Sequence, residues 1–219
     1  MNESDKRAAA LAAIEEVRAG MIVGLGTGST AAFAITALGE RRLDIRAVPT
    51  SLASAAAARA AGIALIDLPA RIDLTIDGAD EIDSRLRAIK GAGGAMLREK
   101  VVAAASARMI VIADASKRVA AIGAAPIPIE VLPFATAFVA DRLAAVGAVV
   151  TQRAGFATDQ GNVVLDCAFP PDADHARLAA EISTIPGALG HGLFLTEVSA
   201  TYIADHGVVT RLERDATAD

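Results

Sequence analysis

Apolar residues in this chain follow two rhythms that alternate. Short unbroken apolar runs at residues 21–23, 47–48, 63–68, 74–76 and 109–113 read as strands buried on both faces. Between them, residues 4–19, 31–38, 52–61 and 95–106 read as helices, the first three closed by Gly20, Gly39 and Gly62. Buried strands that alternate with helices imply a parallel sheet covered on both sides. Near Pro126 the order changes. Strand 127–132, helix 134–146, strand 148–152, a turn at 159–162, strand 163–167, helix 173–183 and strand 189–195 follow one another. That βαββαβ order is ferredoxin-like. Residues 200–204 and 208–212, about Asp205-His206-Gly207, read as a hairpin that returns to the first domain. The expected fold is α/β, with a parallel-sheet domain over 1–126 plus 199–219 and a smaller α+β domain over 127–198. Residues from Asp215 onward are expected to fray.

The chain is 53% hydrophobic, yet this does not make it a membrane protein. A spanning helix needs ~20 apolar residues. The best stretch, 119–140, is interrupted by Glu130, Pro126, Pro128 and Pro133. The N-terminus carries Glu3 and Asp5 and lacks the pattern of a secretory leader. A net charge of −5 and 3% aromatic residues argue against nucleic acid as a partner. Cys167 is the only cysteine, which excludes an intramolecular disulfide framework and suits a reducing compartment, the cytoplasm.

In a parallel sheet, ligands bind beyond the carboxyl ends of the strands. Three polar segments, 24–30, 77–83 and 114–117, each follow a predicted strand and should share that edge. Residues 24–30, GLGTGST, join a strand to a helix. Glycines let backbone N–H groups approach an anion, the helix N-terminus favours negative charge, and Thr27, Ser29 and Thr30 add hydroxyls. Ser29 stands where a dinucleotide fingerprint needs its third glycine, and the lysine of a P-loop is missing. A methyltransferase-type G-x-G-x-G and a plain capped turn remain open on spacing alone.

Residues 77–83, DGADEID, crowd four carboxylates into one loop. Three readings follow: turn chemistry, a Mg²⁺ site, or two carboxylates that grip sugar hydroxyls and move their protons. Glu81 and Asp83 divide evenly between turn and functional roles, whereas Asp77 and Asp80 favour function. Residues 90–100, KGAGGAMLREK, form a glycine turn that enters a helix. Lys90 has no side chains at Gly91, Gly93 or Gly94 to shield it from a ligand. Glu99 lies about one turn into the helix, and helical side chains lean toward the N-terminus, so it points back at the turn. It suits a general base beside a carbonyl as well as a residue favoured by the helix dipole.

Taken together and in this order, these segments resemble ribose-5-phosphate isomerase of the A type. Thr50-Ser51, residues 113–117 (ADASK), 129–133 (IEVLP) and 158–162 (TDQGN) extend the likeness over nearly the whole chain. The resemblance implies a Rossmann-like parallel-sheet domain with a smaller α+β domain. It implies interconversion of ribose 5-phosphate and ribulose 5-phosphate in the non-oxidative pentose phosphate pathway, without a cofactor or metal. Glu99 matches the general base, and Asp77, Asp80 and Lys90 match the set that assists ring opening and steadies the enediolate. Substrate contacts fall on Thr27, Gly28, Ser29, Thr30, Asp77, Gly78, Ala79, Asp80, Lys90, Gly91, Ala92, Gly93 and Lys117, with Lys6 near the phosphate. Members form dimers or tetramers. Ala92 stands where many members carry glycine, which requires a negative φ there. A sugar-phosphate sensor, a CoA transferase-like enzyme with a Glu nucleophile and a nucleotide-cofactor enzyme are the competing readings. His175, His191 and His206 are expected to be bystanders.

Overall fold

The structure, a computed structural model, describes residues 3–214. Helix α1 (Glu3–Ile14) opens the chain. It is followed by β1 (Ile22–Leu25), α2 (Ser29–Arg41), β2 (Arg46–Pro49), α3 (Leu52–Ala60), β3 (Ala64–Leu65) and β4 (Leu74–Asp77). Two short strands, β5 (Glu81–Ile82) and β6 (Ala88–Ile89), precede α4 (Met96–Ala105) and β7 (Met109–Asp114). Next come β8 (Ile127–Val131), α5 (Thr136–Ala145), β9 (Val149–Gln152), β10 (Val163–Ala168), α6 (His175–Ser183) and β11 (Ala188–His191). The chain closes with β12 (Leu193–Phe194), β13 (Ala200–Asp205) and β14 (Val208–Glu213).

A seven-stranded sheet has the order β14-β13-β7-β4-β1-β2-β3, parallel except for β14. Every residue of β4 and β7 is buried, as unbroken apolar runs require when helices cover both faces. On one face, Ala9, Ala10, Ala13 and Ile14 of α1 and Ile35 and Leu38 of α2 pack against Ile110 and Ile112. On the other, Val102 of α4 lies over β1. A Cβ at Gly24 would sit 2.0 Å from Thr75 Oγ1 and 2.7 Å from Val102 Cγ1, so this close approach needs glycine. Chain order reverses between β1 and β4, and the loops after these two strands flank the switch point where such sheets bind ligands.

A second sheet, β11-β8-β10-β9, is antiparallel throughout and has the ferredoxin-like strand order. Ile127, Ile129 and Val131 of β8 meet Val139 and Leu143 of α5 and Leu178 and Ile182 of α6 on one face. The fold is therefore the expected α/β arrangement of a Rossmann-like sheet with a smaller α+β unit.

Four details depart from the pattern-based reading. The first helix ends at Ile14, before the expected residue 19. Beyond it, Val17 is buried in the core, and Glu16 pairs with Arg108 and Tyr202. The edge strand expected over 63–68 is reduced to Ala64–Leu65, with two paired positions on β2. The expected strand 189–195 is two strands. β11 pairs with β8, whereas β12 joins β6 and β5 in a three-stranded sheet. The break is at Gly192, where a Cβ would lie 2.1 Å from the Lys90 carbonyl oxygen. Strands β5 and β6 are two residues each, too short for a period to register. The hairpin returns as expected, with β13 parallel to β7. The expected fraying from Asp215 lies outside the described residues.

Candidate active site

Three loops meet at the carboxyl edge of the large sheet. Between β1 and α2, residues 26–28 pass so close to Asp77 that a Cβ on Gly26 would lie 2.0 Å from Asp77 Oδ1. Gly28 takes φ 106°, a conformation that favours glycine. This contact lets Asp77 Oδ1 accept from the Thr27 N–H at 3.0 Å and the Gly78 N–H at 2.7 Å. Thr27 Oγ1 lies 2.8 Å from both Thr50 Oγ1 and Ser51 Oγ, which fixes its rotamer.

Lys90 leaves β6 with its N–H bonded to the Gly192 carbonyl at 2.9 Å. Lys90 is buried, with its side chain 3% exposed. Its ammonium sits 2.9 Å from Asp77 Oδ2 and 3.4 Å from Glu99 Oε2, and donates to the Gly78 carbonyl at 2.5 Å. Glu99 comes from the first turn of α4, leaning back toward the glycine turn as helix geometry dictates. Neither Asp77 Oδ2 nor Glu99 Oε2 has an aligned hydrogen bond, so both are held by the charge of Lys90.

Two buried carboxylates share one buried ammonium. Burial and then the charge of Asp77 push the Glu99 carboxyl up to about 8, against the pull of Lys90. Burial raises Asp77 as well, against Lys90 and the amides of Thr27 and Gly78. Burial works against the Lys90 ammonium, but Asp77 and Glu99 outweigh it and hold its pKa above the ordinary lysine value. Asp77 has the richer set of donors, which favours its charged form, so the two carboxyls titrate as a coupled pair around one ammonium.

The cleft above this cluster has an open volume of about 660 Å³. Its lining includes Thr27, Gly28, Ser29 and Thr30, then Gly78, Ala79 and Asp80, then Lys90, Gly91, Ala92, Gly93 and Glu99, with Lys6 and Lys117 at one end. Every site residue expected from the sequence is thus brought together. Asp77, fully buried, stands behind Lys90 and outside the lining. Lys6 arrives from α1, 23 positions from Ser29, and donates to Ser29 Oγ at 2.8 Å. Lys117 follows β7 in a single 3₁₀ turn capped by Asp114. One end of the cleft is thus cationic and rich in hydroxyls at the α2 N-terminus, and the other holds Lys90 and Glu99.

Ala92 is accommodated. Among the described residues, only Arg42, Leu86 and His206 combine a side chain with positive φ, so the methyl costs no strain. Its N–H donates to Asp80 Oδ2 at 2.9 Å. Glu81 and Asp83 take structural roles. Glu81 accepts from the N–H groups of Gly123 and Ala125, and Asp83 caps its own turn and pairs with Arg87 at 2.7 Å. No histidine lines the cleft. Burial pushes His191 down to about 4, and burial pushes the Cys167 thiol up to about 12, so neither offers reactive chemistry at neutral pH. Arg153 and Phe156, which brace the glycine turn from the end of β9 and the loop after it, had no signal in the sequence, because their contacts reach back to a distant segment, 61 positions away for Arg153.

An acid–base cluster beside a cationic helix N-terminus, at the switch point of a parallel α/β sheet, defines an enzyme that moves protons on a small anionic molecule. The sequence profile of the ribose 5-phosphate isomerase A (phosphoriboisomerase A) family matches residues 46–207. The chain is 54% identical over 210 residues to the ribose-5-phosphate isomerase A of Sphingopyxis alaskensis, covering 92% of each chain. It is 50% identical over 222 residues to that of Gloeobacter violaceus, covering 96% of each. Among solved structures, the ribose 5-phosphate isomerase A of Methanocaldococcus jannaschii superposes with a TM-score of 0.93 at 35% identity, covering 97% of this chain and 100% of that one. A D-ribose-5-phosphate isomerase solved in complex with phospho-erythronic acid gives 0.94 at 35% identity, covering 98% and 100%. The chain belongs to the ribose 5-phosphate isomerase A family.

Proposed function

We propose that the chain interconverts D-ribose 5-phosphate and D-ribulose 5-phosphate through an enediolate, with Glu99 as the general base. The observation that carries this reading is the buried Glu99–Lys90–Asp77 cluster, with a carboxyl held at about 8 and an ammonium 3.4 Å away. A base near the working pH suits proton abstraction beside a carbonyl. The phosphate docks at the α2 N-terminus, where Ser29, Thr30, Lys6 and Lys117 supply hydroxyls and positive charge. Asp80, with Asp77 and Lys90 behind it, assists opening of the furanose. Glu99 then takes a proton from one carbon and returns it to its neighbour. Lys90 stabilises the negative oxygen that forms in between, an electrostatic contribution that is usually the largest in such reactions. The phospho-erythronic acid bound to a 35% identical neighbour is a phosphorylated acid, matched in charge to such a cleft.

The reading places the enzyme in the non-oxidative pentose phosphate pathway of the cytoplasm. The buried, unpaired Cys167 suits that reducing compartment. Among the described residues, no helix is long and apolar enough to cross a membrane. A homodimer is the assembly we favour. Leu132, Phe134, Phe138 and Leu189 are exposed on the smaller α+β unit, at the end of β8, before and on α5 and on β11, with Phe134 at 96%. Incubating the protein with D-ribose 5-phosphate and following ketose formation tests the activity. Absence of ketose would refute it.

A further inference from the structure

The glycine turn that carries Ala92 and Gly93 into the cleft is exposed, yet it is held from outside. Arg153, one residue past β9, donates through Nη1 to the Ala92 carbonyl at 2.9 Å and lies 3.4 Å from the Gly91 carbonyl. Its Nε and Nη2 form a fork on Asp166 of β10, at 2.9 and 2.5 Å. Phe156, 5.2 Å from the guanidinium, closes on Gly94, where a Cβ would meet its ring at 2.3 Å. The smaller sheet thus grips both ends of the turn.

This grip has a stereochemical consequence. The chain has no cis peptide among its described residues, and in a trans peptide N–H and C=O point in opposite directions. The Ala92 carbonyl faces Arg153, so the Gly93 N–H faces away from it. In the neighbouring peptide the Ala92 N–H, opposed to the Gly91 carbonyl, reaches Asp80 of the cleft at 2.9 Å. Gly93 lines the cleft and Arg153 does not. Both N–H groups therefore point inward.

We propose that Arg153 is a positioning residue for the isomerisation: by holding the Ala92 carbonyl, it presents the Gly93 N–H to a substrate oxygen and keeps Asp80 in place. Arg153 touches no reacting atom. A rigid fork is needed, because one side chain must satisfy Asp166 and the carbonyl at once, which a lysine's point charge does not do. The proposal rests on the isomerase reading.

Arg153→Met and Asp166→Asn test it in the full-length enzyme. Each is measured for kcat, KM, melting temperature and hydrogen exchange at the Ala92 and Gly94 amides, which are bonded to Asp80 and to the Gly91 carbonyl. Misplacement of about 1 Å near a reaction centre costs up to ~10²-fold in rate. Arg153→Met is expected to lower kcat roughly 10- to 100-fold with KM within about threefold of wild type, and to speed exchange at both amides. Asp166→Asn is expected to do the same more weakly, and Arg153→Lys to recover only part of the loss. Folded variants with unchanged kcat and unchanged exchange would overturn the proposal. So would losses in both variants that merely track loss of folded protein. The exchange readout needs no substrate, so failure of the isomerase reading would show separately, as inactivity of the wild-type enzyme.

Discussion

Replacing Glu99 by glutamine changes one atom of a side chain that is 5% exposed, so its shape and packing are retained. What disappears is the ability to accept a proton from carbon. Loss of a positioned general base costs about 10²–10⁴ in rate, which at ~1.4 kcal/mol per decade is roughly 3–5 kcal/mol of transition-state stabilisation. We expect kcat to fall by at least ~10²-fold while substrate still binds, because the phosphate end of the cleft lies on other elements. The pH dependence sharpens the test. With a carboxyl at about 8, wild-type kcat/KM should rise with pH and level off above that value, and the variant should lack this limb. Stability moves in the opposite sense. The folded pKa lies above the ordinary 4.5, so the contribution of Glu99 is fully present below pH 4.5 and is lost as pH rises through about 8. Glutamine suffers no such loss. The melting temperature of Glu99→Gln relative to wild type should therefore climb between about pH 5 and pH 9. A coupled ketose assay and thermal melts across that range read both effects. Turnover within about tenfold of wild type, or inactivity accompanied by a lower melting temperature at every pH, would refute the assignment.

Lys90→Met should remove at least ~10² of activity and destabilise the fold by about 3–5 kcal/mol at high pH, because Asp77 and Glu99 would face each other without a cation; chemical denaturation at two pH values checks this. Gly26→Ala forces a methyl to 2.5 Å from the Asp77 Cα, a backbone clash that should cost ~1–3 kcal/mol and lower the melting temperature by roughly 2–12 °C along with activity. EDTA should leave turnover unchanged in the same assay, because Asp77 is engaged by Lys90 and two amides and Asp80 by the Ala92 N–H; activity restored by Mg²⁺ would instead make the acidic loop a metal site.

Much of this was legible in the chain because burial imprints a local period. β1, β4, β7, β8 and β10 fall within a residue or two of their apolar runs, and alternation with helices was enough to imply parallel pairing. Once the sheet was parallel, loops after its strands had to share one edge. That is why residues 24–30, 77–83 and 114–117 could be assigned to one edge from the pattern alone, whereas residues 90–93 joined them through the family resemblance.

Other features depend on contacts between residues far apart in the chain, which no local window records. The extended run over 189–195 divides because Gly192 must pass the Lys90 carbonyl, 102 positions away in sequence number. For Glu81 and Asp83 the sequence left turn and functional roles evenly balanced, and only the fold turns them to the amides of Gly123 and Ala125 and to Arg87. The hold of Arg153 on Ala92 spans 61 positions. Most of all, the acidity of Glu99 belongs to the folded state alone. The residue type supplied a carboxyl, but only the exclusion of water around it and the placing of Asp77 and Lys90 beside it move that carboxyl to a pH at which it can exchange a proton with carbon.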